Sequence, residues 1–250
     1  MNQWIPYSIF LPLAAALFCA VLATANGLAG VSADAAPVRV AIAGDSTVCD
    51  YPLTDPHRGW GQLLPLFVDT KRVAIENFAA GGRSTKTFMS EGRWDKLLAS
   101  KPNFVFIQFG HNDSHAKSQP EATDADGDYS AYLREYVDSA RAIGAAPILV
   151  TPMHRGLWDK EGTHLTTELL PYAAAMRRVA EEKNVPLVDL YATSGVAFEK
   201  LGKDGLDTLF AFPAQDRTHF NKQGARLLAG LVVEETERVV PALKSYLTQP

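Results

Sequence analysis

The chain has 250 residues, of which 47% are hydrophobic and 21% are charged, and its formal net charge is −4 at pH 7. This composition is typical of a globular protein and excludes a disordered or fibrous chain. The small negative charge provides no attraction for nucleic acid or for an anionic membrane surface, so we predict neither as a partner.

The N-terminus differs from the rest of the chain. Residues 9–25, IFLPLAAALFCAVLATA, form an apolar run without charges, followed by small-residue patterns at 23–25 and 33–35. Because such a run suits a signal peptide and is short for a membrane span, we predict a signal peptide over residues 1–35, cleaved near residue 25 or 35. The preceding MNQWIPYS has no Lys or Arg, which leaves an uncleaved anchor or a buried apolar arm as the alternative. We expect an exported protein, secreted or periplasmic, without a membrane attachment once the signal is removed.

After residue 37, short apolar segments alternate with amphipathic segments. The apolar segments predict strands at 38–43, 73–78, 104–109, 147–151 and 186–190. The amphipathic segments predict helices at 60–69, 91–99, 129–143, 168–183, 191–201 and 221–240. Strands that are continuously apolar, or nearly so, and that alternate with helices predict a parallel sheet covered by helices on both faces. Since no repeat or linker-like segment interrupts residues 36–250, we predict a single domain there.

The longest irregular segment, residues 113–128, follows the third predicted strand. Asp128 at its end is the predicted N-cap of the next helix. The acidic sequence DADGD at 124–128 has its glycine too early for an EF-hand loop, so we interpret it as a solvated loop. The histidines show no metal-ligand spacing, and we predict no metal and no cofactor. Cys49, the one cysteine beyond residue 35, is predicted to be an inert packing residue.

Three of the predicted strands end in sequences rich in glycine and polar residues. GDS at 44–46 follows the first strand, AGGRS at 80–84 the second, and GHND at 110–113 the third. The carboxyl ends of parallel strands lie at one edge of the sheet, where α/β proteins bind ligands. QDRTHFNKQGA, just before the last helix, adds Asp216 and His219. Together these four segments predict a site at that edge.

Ser46, His219 and Asp216 are the residue types of a serine-hydrolase triad. A serine hydroxyl needs a base within hydrogen-bond reach, His219 can accept its proton, and Asp216 can fix the imidazole tautomer. An oxyanion formed by attack of Ser46 could be stabilised by the Ser46 N–H, an N–H of a glycine at 81–82 and the Asn112 amide. Each group alone also has a structural interpretation, as a turn, a loop or a helix cap. Their occurrence together favours catalysis.

In their order and residue content these segments resemble the four sequence blocks of the SGNH (GDSL-like) hydrolases. AGDST, GWG (59–61), N-x-A-x-x-GRS (77–84), EGR (91–93), FGHND and D-x-T-H resemble more narrowly the rhamnogalacturonan acetylesterases, over about residues 38–235. The resemblance implies a three-layer α/β/α, flavodoxin-like fold with a five-stranded parallel sheet. It implies a triad of Ser46, His219 and Asp216 and an oxyanion hole of Ser46, Gly82 and Asn112. It favours Gly82 over Gly81 because the glycine of the family directly precedes an arginine.

The resemblance also implies a function. A serine esterase of this kind removes O-acetyl groups from a plant cell-wall polysaccharide, here most closely the rhamnogalacturonan of pectin, through an acetyl-enzyme. The expected partner is therefore an acetylated polysaccharide or oligosaccharide. The alternatives are an esterase for acetylated xylan, another acetylated glycan or a lipid ester, and an inactive carbohydrate-binding protein on the same scaffold. The oligomeric state is not predicted.

Four further residues are candidates for supporting roles. Trp158 could stack on a sugar ring, with packing of its own loop as the alternative. Arg83 and Arg155 could pair with uronate carboxylates, and Arg83 could instead bind backbone carbonyls. We expect His111 to support the loop that aims Asn112.

Overall fold

The computed structural model describes residue 1 and residues 36–248. Among these, five strands form one sheet: β1 (Val38–Gly44), β2 (Val73–Asn77), β3 (Phe104–Gln108), β4 (Ala146–Val150) and β5 (Leu187–Val188). The strand order is β2-β1-β3-β4-β5, and every neighbouring pair is parallel. The predicted five-stranded parallel sheet is therefore confirmed. The predicted signal peptide at 1–35 lies outside the described residues.

The strand order fixes where a ligand site can form. From β1 the chain first adds β2 on one side and then adds β3 on the other side. β1 and β3 are therefore neighbours in the sheet although β2 lies between them in sequence. In open α/β sheets the crevice beyond the carboxyl ends of two such strands is the usual binding position. β1 ends at Gly44 and β3 ends at Gln108, and these two residues are paired in the register. The GDS and GHND sequences therefore leave the sheet side by side.

Seven α-helices cover the sheet within residues 36–248: α1 (Trp60–Leu63), α2 (Thr85–Ser90), α3 (Arg93–Ala99), α4 (Ser130–Ala142), α5 (Leu170–Lys183), α6 (Leu190–Asp207) and α7 (Lys222–Val239). None of the helices in this part of the chain is both long and apolar enough to cross a bilayer.

Two hydrophobic cores lie on opposite faces of the sheet. Alternate residues of a strand point to opposite faces, and β1 accordingly contributes Val40 and Ile42 to one core and Ala41 and Ala43 to the other. The first core is completed by apolar side chains of α1, α6 and α7, and the second by side chains of α2, α3, α4 and α5. This arrangement confirms the three-layer α/β/α architecture.

Several helix boundaries differ from the predicted ones. The helix predicted at 60–69 is α-helical only over Trp60–Leu63 and continues as a 3₁₀ turn over Leu64–Phe67, because Pro65 has no N–H for an α-helical bond. A helix that was not predicted, α2, begins at a capping box in which the Ser84 and Thr87 side chains bind each other's backbone N–H.

The predicted N-cap at Asp128 is wrong. Residues Ala125–Tyr129 form a π-helical turn that runs directly into α4. The side chain of Asp124, at the start of this turn, accepts hydrogen bonds from the N–H groups of Asp126 and Gly127. The cap therefore lies four residues earlier than predicted, because the turn adds donors upstream of the helix.

Candidate active site

Ser46 lies in a tight turn that follows β1. Oδ1 of Asp45 accepts hydrogen bonds from Thr47 N at 2.8 Å and Thr47 Oγ1 at 2.7 Å, and Asp45 O accepts from Val48 N at 3.1 Å. Gly44 is required at the start of the turn, because a Cβ there would lie 2.7 Å from Cγ2 of Val48. The turn thereby holds the Ser46 side chain beyond the end of the strand.

A buried polar network anchors this turn to its neighbours. Thr47 Oγ1 accepts a hydrogen bond from Gln108 Nε2 at 2.8 Å, and Gln108 Oε1 accepts one from Trp60 Nε1 at 2.7 Å. Trp60 N also donates to Thr47 O at 3.0 Å. These bonds join β1, β3 and α1, so the position of the Ser46 backbone is fixed by three elements of the core.

The structure brings Ser46, His219 and Asp216 together. His219 Nε2 lies 2.7 Å from Ser46 Oγ, and His219 Nδ1 lies 2.6 Å from Asp216 Oδ2. The second carboxylate oxygen, Asp216 Oδ1, accepts hydrogen bonds from Thr218 N at 2.8 Å and His219 N at 3.2 Å. A hydroxyl, an imidazole and a carboxylate in this order can pass a proton from serine to histidine while the carboxylate holds the ring.

The environment of Asp216 favours its ionised form. Burial by itself raises the pKa of this carboxyl, but the Thr218 N–H and the His219 side chain outweigh it, so the pKa lies below its usual value. Asp216 is consequently an acceptor at neutral pH. An acceptor at this position keeps the His219 proton on Nδ1 and leaves the Nε2 lone pair facing Ser46.

The two loops that carry the predicted oxyanion donors border Ser46. Ala80 N donates to Gly44 O at 2.9 Å, and a Cβ added at Gly81 would lie 3.6 Å from the Cβ of Ser46. Gly82 has φ of +77°, a backbone conformation that glycine adopts readily. Asn112 Nδ2 donates to Arg83 O at 3.0 Å, which ties the amide to the same loop. The second N–H of that amide remains for another acceptor.

Asp113 has a structural position that sequence reasoning did not assign. Its fully buried carboxyl accepts hydrogen bonds from Thr85 Oγ1 at 2.5 Å, Thr123 Oγ1 at 2.9 Å and Thr85 N at 3.1 Å. Burial raises the pKa of Asp113 to about 7, although these hydrogen bonds by themselves lower it. Asp113 thus connects the loops after β2 and β3 through α2. No sequence pattern indicated this role, because it depends on Thr85 and Thr123 from two other segments.

His111 contacts the turn that carries Ser46. It is 2% exposed, and its Nδ1 lies 3.5 Å from Oδ2 of Asp45. Burial raises the pKa of Asp45, but His111 and Thr47 outweigh it, so the pKa is lowered overall. The Asp45–His111 pair joins the residue before Ser46 to the residue before Asn112.

The candidate substrate-binding residues are largely engaged with the protein. Arg83 Nε lies 3.0 Å from Glu91 Oε2, and Arg83 Nη1 donates to Gly81 O at 2.7 Å. Arg155 Nη2 donates to His111 O at 2.9 Å. These contacts fit a role in holding the loops, including the alternative stated for Arg83. Trp158 is half-buried and forms an isolated antiparallel bridge with Leu165.

Tyr51 and His57 also lie at the site, although no sequence motif indicated either of them. Tyr51 Oη donates to Ser46 O at 2.9 Å, and the ring of His57 lies 5.7 Å from that of His219 between centroids. Cys49 is buried beside them, and burial raises the pKa of its thiol to about 11, which fits the predicted inert role. Within residues 36–248, no cluster of three or more His, Cys, Asp or Glu could hold a metal ion.

Comparison of the chain with known proteins identifies a family. Residues 42–227 match the GDSL-like Lipase/Acylhydrolase family. The rhamnogalacturonan acetylesterase RhgT of Bacillus subtilis is 35% identical over 226 residues, which cover 84% of this chain and 94% of that protein.

Two solved structures are similar in fold. The crystal structure of YxiM from Bacillus subtilis has a TM-score of 0.70 and 30% identity, and the match covers 81% of this chain but 57% of that one. The acetylxylan esterase Axe2 from Geobacillus stearothermophilus has a TM-score of 0.60 and 22% identity over 79% of this chain and 93% of that one, which bears on the fold alone. From the family match and the identity to RhgT, the chain belongs to the GDSL-like lipase/acylhydrolase family.

Proposed function

We propose that this protein is a serine esterase that removes O-acetyl groups from a polysaccharide, with rhamnogalacturonan as the substrate. The observation that carries the proposal is the unbroken chain from Ser46 Oγ to His219 Nε2 at 2.7 Å and from His219 Nδ1 to Asp216 Oδ2 at 2.6 Å. The substrate class is supported by the 35% identity to RhgT, whose name is rhamnogalacturonan acetylesterase. Ser46, His219 and Asp216 are the proposed catalytic residues.

In the first half of the reaction, Ser46 Oγ attacks the acetyl carbonyl carbon while His219 Nε2 accepts the hydroxyl proton. The carbonyl oxygen becomes an oxyanion, and we assign its stabilisation to the N–H groups of Ser46 and Gly82 and the Asn112 amide. Asp216 stabilises the imidazolium that forms. Collapse of the tetrahedral intermediate breaks the bond to the sugar oxygen, which takes the proton from His219 and leaves as a hydroxyl.

The second half repeats these steps with water. His219 Nε2 accepts a proton from a water molecule whose oxygen attacks the acetyl carbon bound to Ser46. The same donors stabilise the second oxyanion, and its collapse returns the proton from His219 to Ser46 Oγ. One ester and one water thus become acetate and a sugar hydroxyl, and the enzyme is regenerated.

Substitution of the nucleophile tests the chemistry. Hydrolysis of p-nitrophenyl acetate by the wild type is expected to fall at least about 10³-fold in Ser46→Ala, because the covalent route is lost. Ser245→Ala, a substitution in the C-terminal 3₁₀ turn, serves as the matched control and is expected to keep full activity. Activity that survives Ser46→Ala would remove Ser46 from the mechanism, and an inactive wild type that binds acetylated glycan would favour the binding-protein alternative.

Acetate release from polymers tests the substrate. We expect the initial rate per acetyl group to be higher on acetylated rhamnogalacturonan than on acetylated xylan, and p-nitrophenyl palmitate to be a poor substrate. A faster reaction on xylan or on the long-chain ester would contradict the assignment of rhamnogalacturonan while leaving the esterase mechanism in place.

The signal peptide is also part of the proposal. Residues 1–35 are proposed to direct export and to be removed near residue 25 or 35. The mass of the protein recovered from the medium or the periplasm measures this directly. An intact Met1 in that material would contradict cleavage.

A further inference from the structure

A loop that the triad does not use forms one wall beside His219. We call residues 50–58 the His57 loop. Its Tyr51 ring lies 5.5 Å from the His57 ring, and the His57 ring lies 5.7 Å from the His219 ring at an interplanar angle of 80°. The His57 ring is also edge-on to Phe212, with 5.3 Å between the ring centroids. His57 therefore lies next to both the His219 imidazole and the Phe212 ring.

Arg58 holds the His57 loop in place. The Arg58 guanidinium donates hydrogen bonds to four carbonyl oxygens of the loop, those of Pro52, Leu53, Asp55 and His57. Arg58 N donates to Phe220 O at 2.8 Å, which fixes the loop to the residue after His219. The position of His57 relative to His219 is thus set by main-chain contacts.

The His57 imidazole is oriented so that one nitrogen is available. Asp55 Oδ1 lies 2.7 Å from His57 Nδ1 and also accepts from His57 N at 2.8 Å. The Nδ1 edge is therefore occupied by Asp55. Within residues 36–248, the other ring nitrogen, Nε2, has no hydrogen-bond partner, and the side chain is 22% exposed. An imidazole held in this way presents Nε2 as a ready partner for a ligand.

The position of His57 indicates which part of a substrate it meets. In the proposed reaction the sugar oxygen is protonated by His219 Nε2 as it leaves, so the sugar lies on the His219 side of Ser46. His57 borders that side, whereas the predicted oxyanion donors come from the loops after β2 and β3. Phe212 next to it is 46% exposed and offers an aromatic face to a sugar ring.

We propose that His57 Nε2 hydrogen-bonds a free hydroxyl of the sugar that carries the acetyl ester, on the carbon next to the esterified one. This inference rests on the proposed function. A hydroxyl fits better than a carboxylate, because Asp55 already places a negative charge against the imidazole. Neighbouring oxygens of a sugar ring are separated by about a hydrogen-bond length, so one ring can reach both histidines at once. His57 is then a specificity-determining residue.

The test compares two esters that share the acetyl group and differ in the leaving group. p-Nitrophenyl acetate has no hydroxyl beside the ester, whereas an acetylated rhamnogalacturonan oligosaccharide has one. In His57→Ala we expect kcat/KM on the oligosaccharide to fall about 10–100-fold and kcat/KM on p-nitrophenyl acetate to change less than about threefold. His57→Gln places a side-chain amide near the position of Nε2, where its oxygen can accept from the hydroxyl, and should recover part of the loss. Leu53→Ala, at an 87% exposed position of the same loop, is the control and should leave both rates unchanged.

The outcomes separate this inference from the proposed function. Equal losses of His57→Ala on both esters would show that His57 acts through His219 and would overturn the inference. No change in either kcat/KM value of His57→Ala would overturn it as well. So would a change in the ratio of the two kcat/KM values that also occurs in Leu53→Ala. In each of these cases Ser46-dependent hydrolysis of p-nitrophenyl acetate by the wild type would still support the esterase. The proposed function is contradicted by different results, namely an inactive wild type or full activity in Ser46→Ala.

Discussion

Replacing Asp216 with Asn removes one charge and keeps the shape of the side chain, so it tests how His219 is oriented. In the wild type, Asp216 Oδ1 faces two backbone donors, Thr218 N and His219 N, and Oδ2 faces His219 Nδ1. An Asn side chain has one oxygen and one NH₂ group. If its oxygen keeps the two backbone bonds, its NH₂ group faces Nδ1, and the imidazole must move its proton to Nε2. His219 then has no lone pair for the Ser46 proton.

The size of the effect follows from the cost of the opposite amide orientation. Turning the amide would restore the correct tautomer of His219 but would lose two backbone hydrogen bonds, at about 1–1.5 kcal/mol each. The active arrangement would then be populated roughly 30–150 times less than the inactive one. A neutral amide also stabilises the imidazolium less than a carboxylate does. Together these effects are expected to lower kcat by about 10⁴, which corresponds to about 5.5 kcal/mol of barrier.

The assay is p-nitrophenyl acetate hydrolysis together with thermal unfolding. Asp159→Asn is the matched control, because Asp159 also accepts bonds from the backbone N–H groups of its loop, at Thr163 and His164. We expect Asp216→Asn to unfold within a few degrees of the wild type and Asp159→Asn to retain its activity. A kcat for Asp216→Asn within about tenfold of the wild type would refute the tautomer argument.

Three further predictions concern the residues around the triad. Burial raises the pKa of Asp113 to about 7 from its ordinary value of 3.8, so the stability that its protonated form contributes is lost as the pH rises through about 7. Asp113→Asn should therefore gain stability relative to the wild type by roughly 4 kcal/mol between about pH 4 and about pH 8 in urea titrations, and a constant difference would contradict this. Gly44→Ala brings a Cβ to 2.7 Å from Val48 Cγ2, so it should lower the free energy of unfolding by about 1–3 kcal/mol and kcat/KM at least about tenfold. The control Gly230→Ala, whose added Cβ would have its nearest contact at 3.5 Å, should be tolerated. Asn112→Ala should lower kcat on p-nitrophenyl acetate about 10²–10³-fold with little change in KM, and an unchanged kcat would exclude its amide from the oxyanion hole.

The sheet and the location of the site were predictable because they depend on local patterns. Each of the five strands was a short, mainly apolar segment, and parallel strands place their carboxyl ends together whatever the details of the helices. The sequences after β1 and β3 could therefore be expected to meet. Asp216 and His219 are three residues apart, so their mutual contact could be expected from a single turn. Their connection to Ser46 was inferred from the residue types of the four segments together, and the family resemblance implied the same triad.

The remaining features depend on contacts between distant segments that no local pattern reports. Nothing in the sequence shows that the ring of His57 approaches that of His219, because the two residues are far apart along the chain. The role of Asp113 depends on Thr85 and Thr123, which come from two other segments. The beginning of α2 is the exception, since its Ser84-x-x-Thr87 capping box is a local signal that could have been found.

The way in which Arg58 binds its loop has a consequence for how the protein can diverge. Within this loop the guanidinium binds only main-chain oxygens, so these four hydrogen bonds do not depend on which side chains residues 52–57 carry. The Asp55 side chain, which accepts from His57 N, is the side-chain contact that the loop also needs. Substitutions in the His57 loop can then alter which glycans the site binds without disrupting Ser46, His219 and Asp216. A library randomised at 53, 54, 56 and 57, with Asp55 and Arg58 retained, would give directed evolution a fixed loop on which to select new glycan preferences.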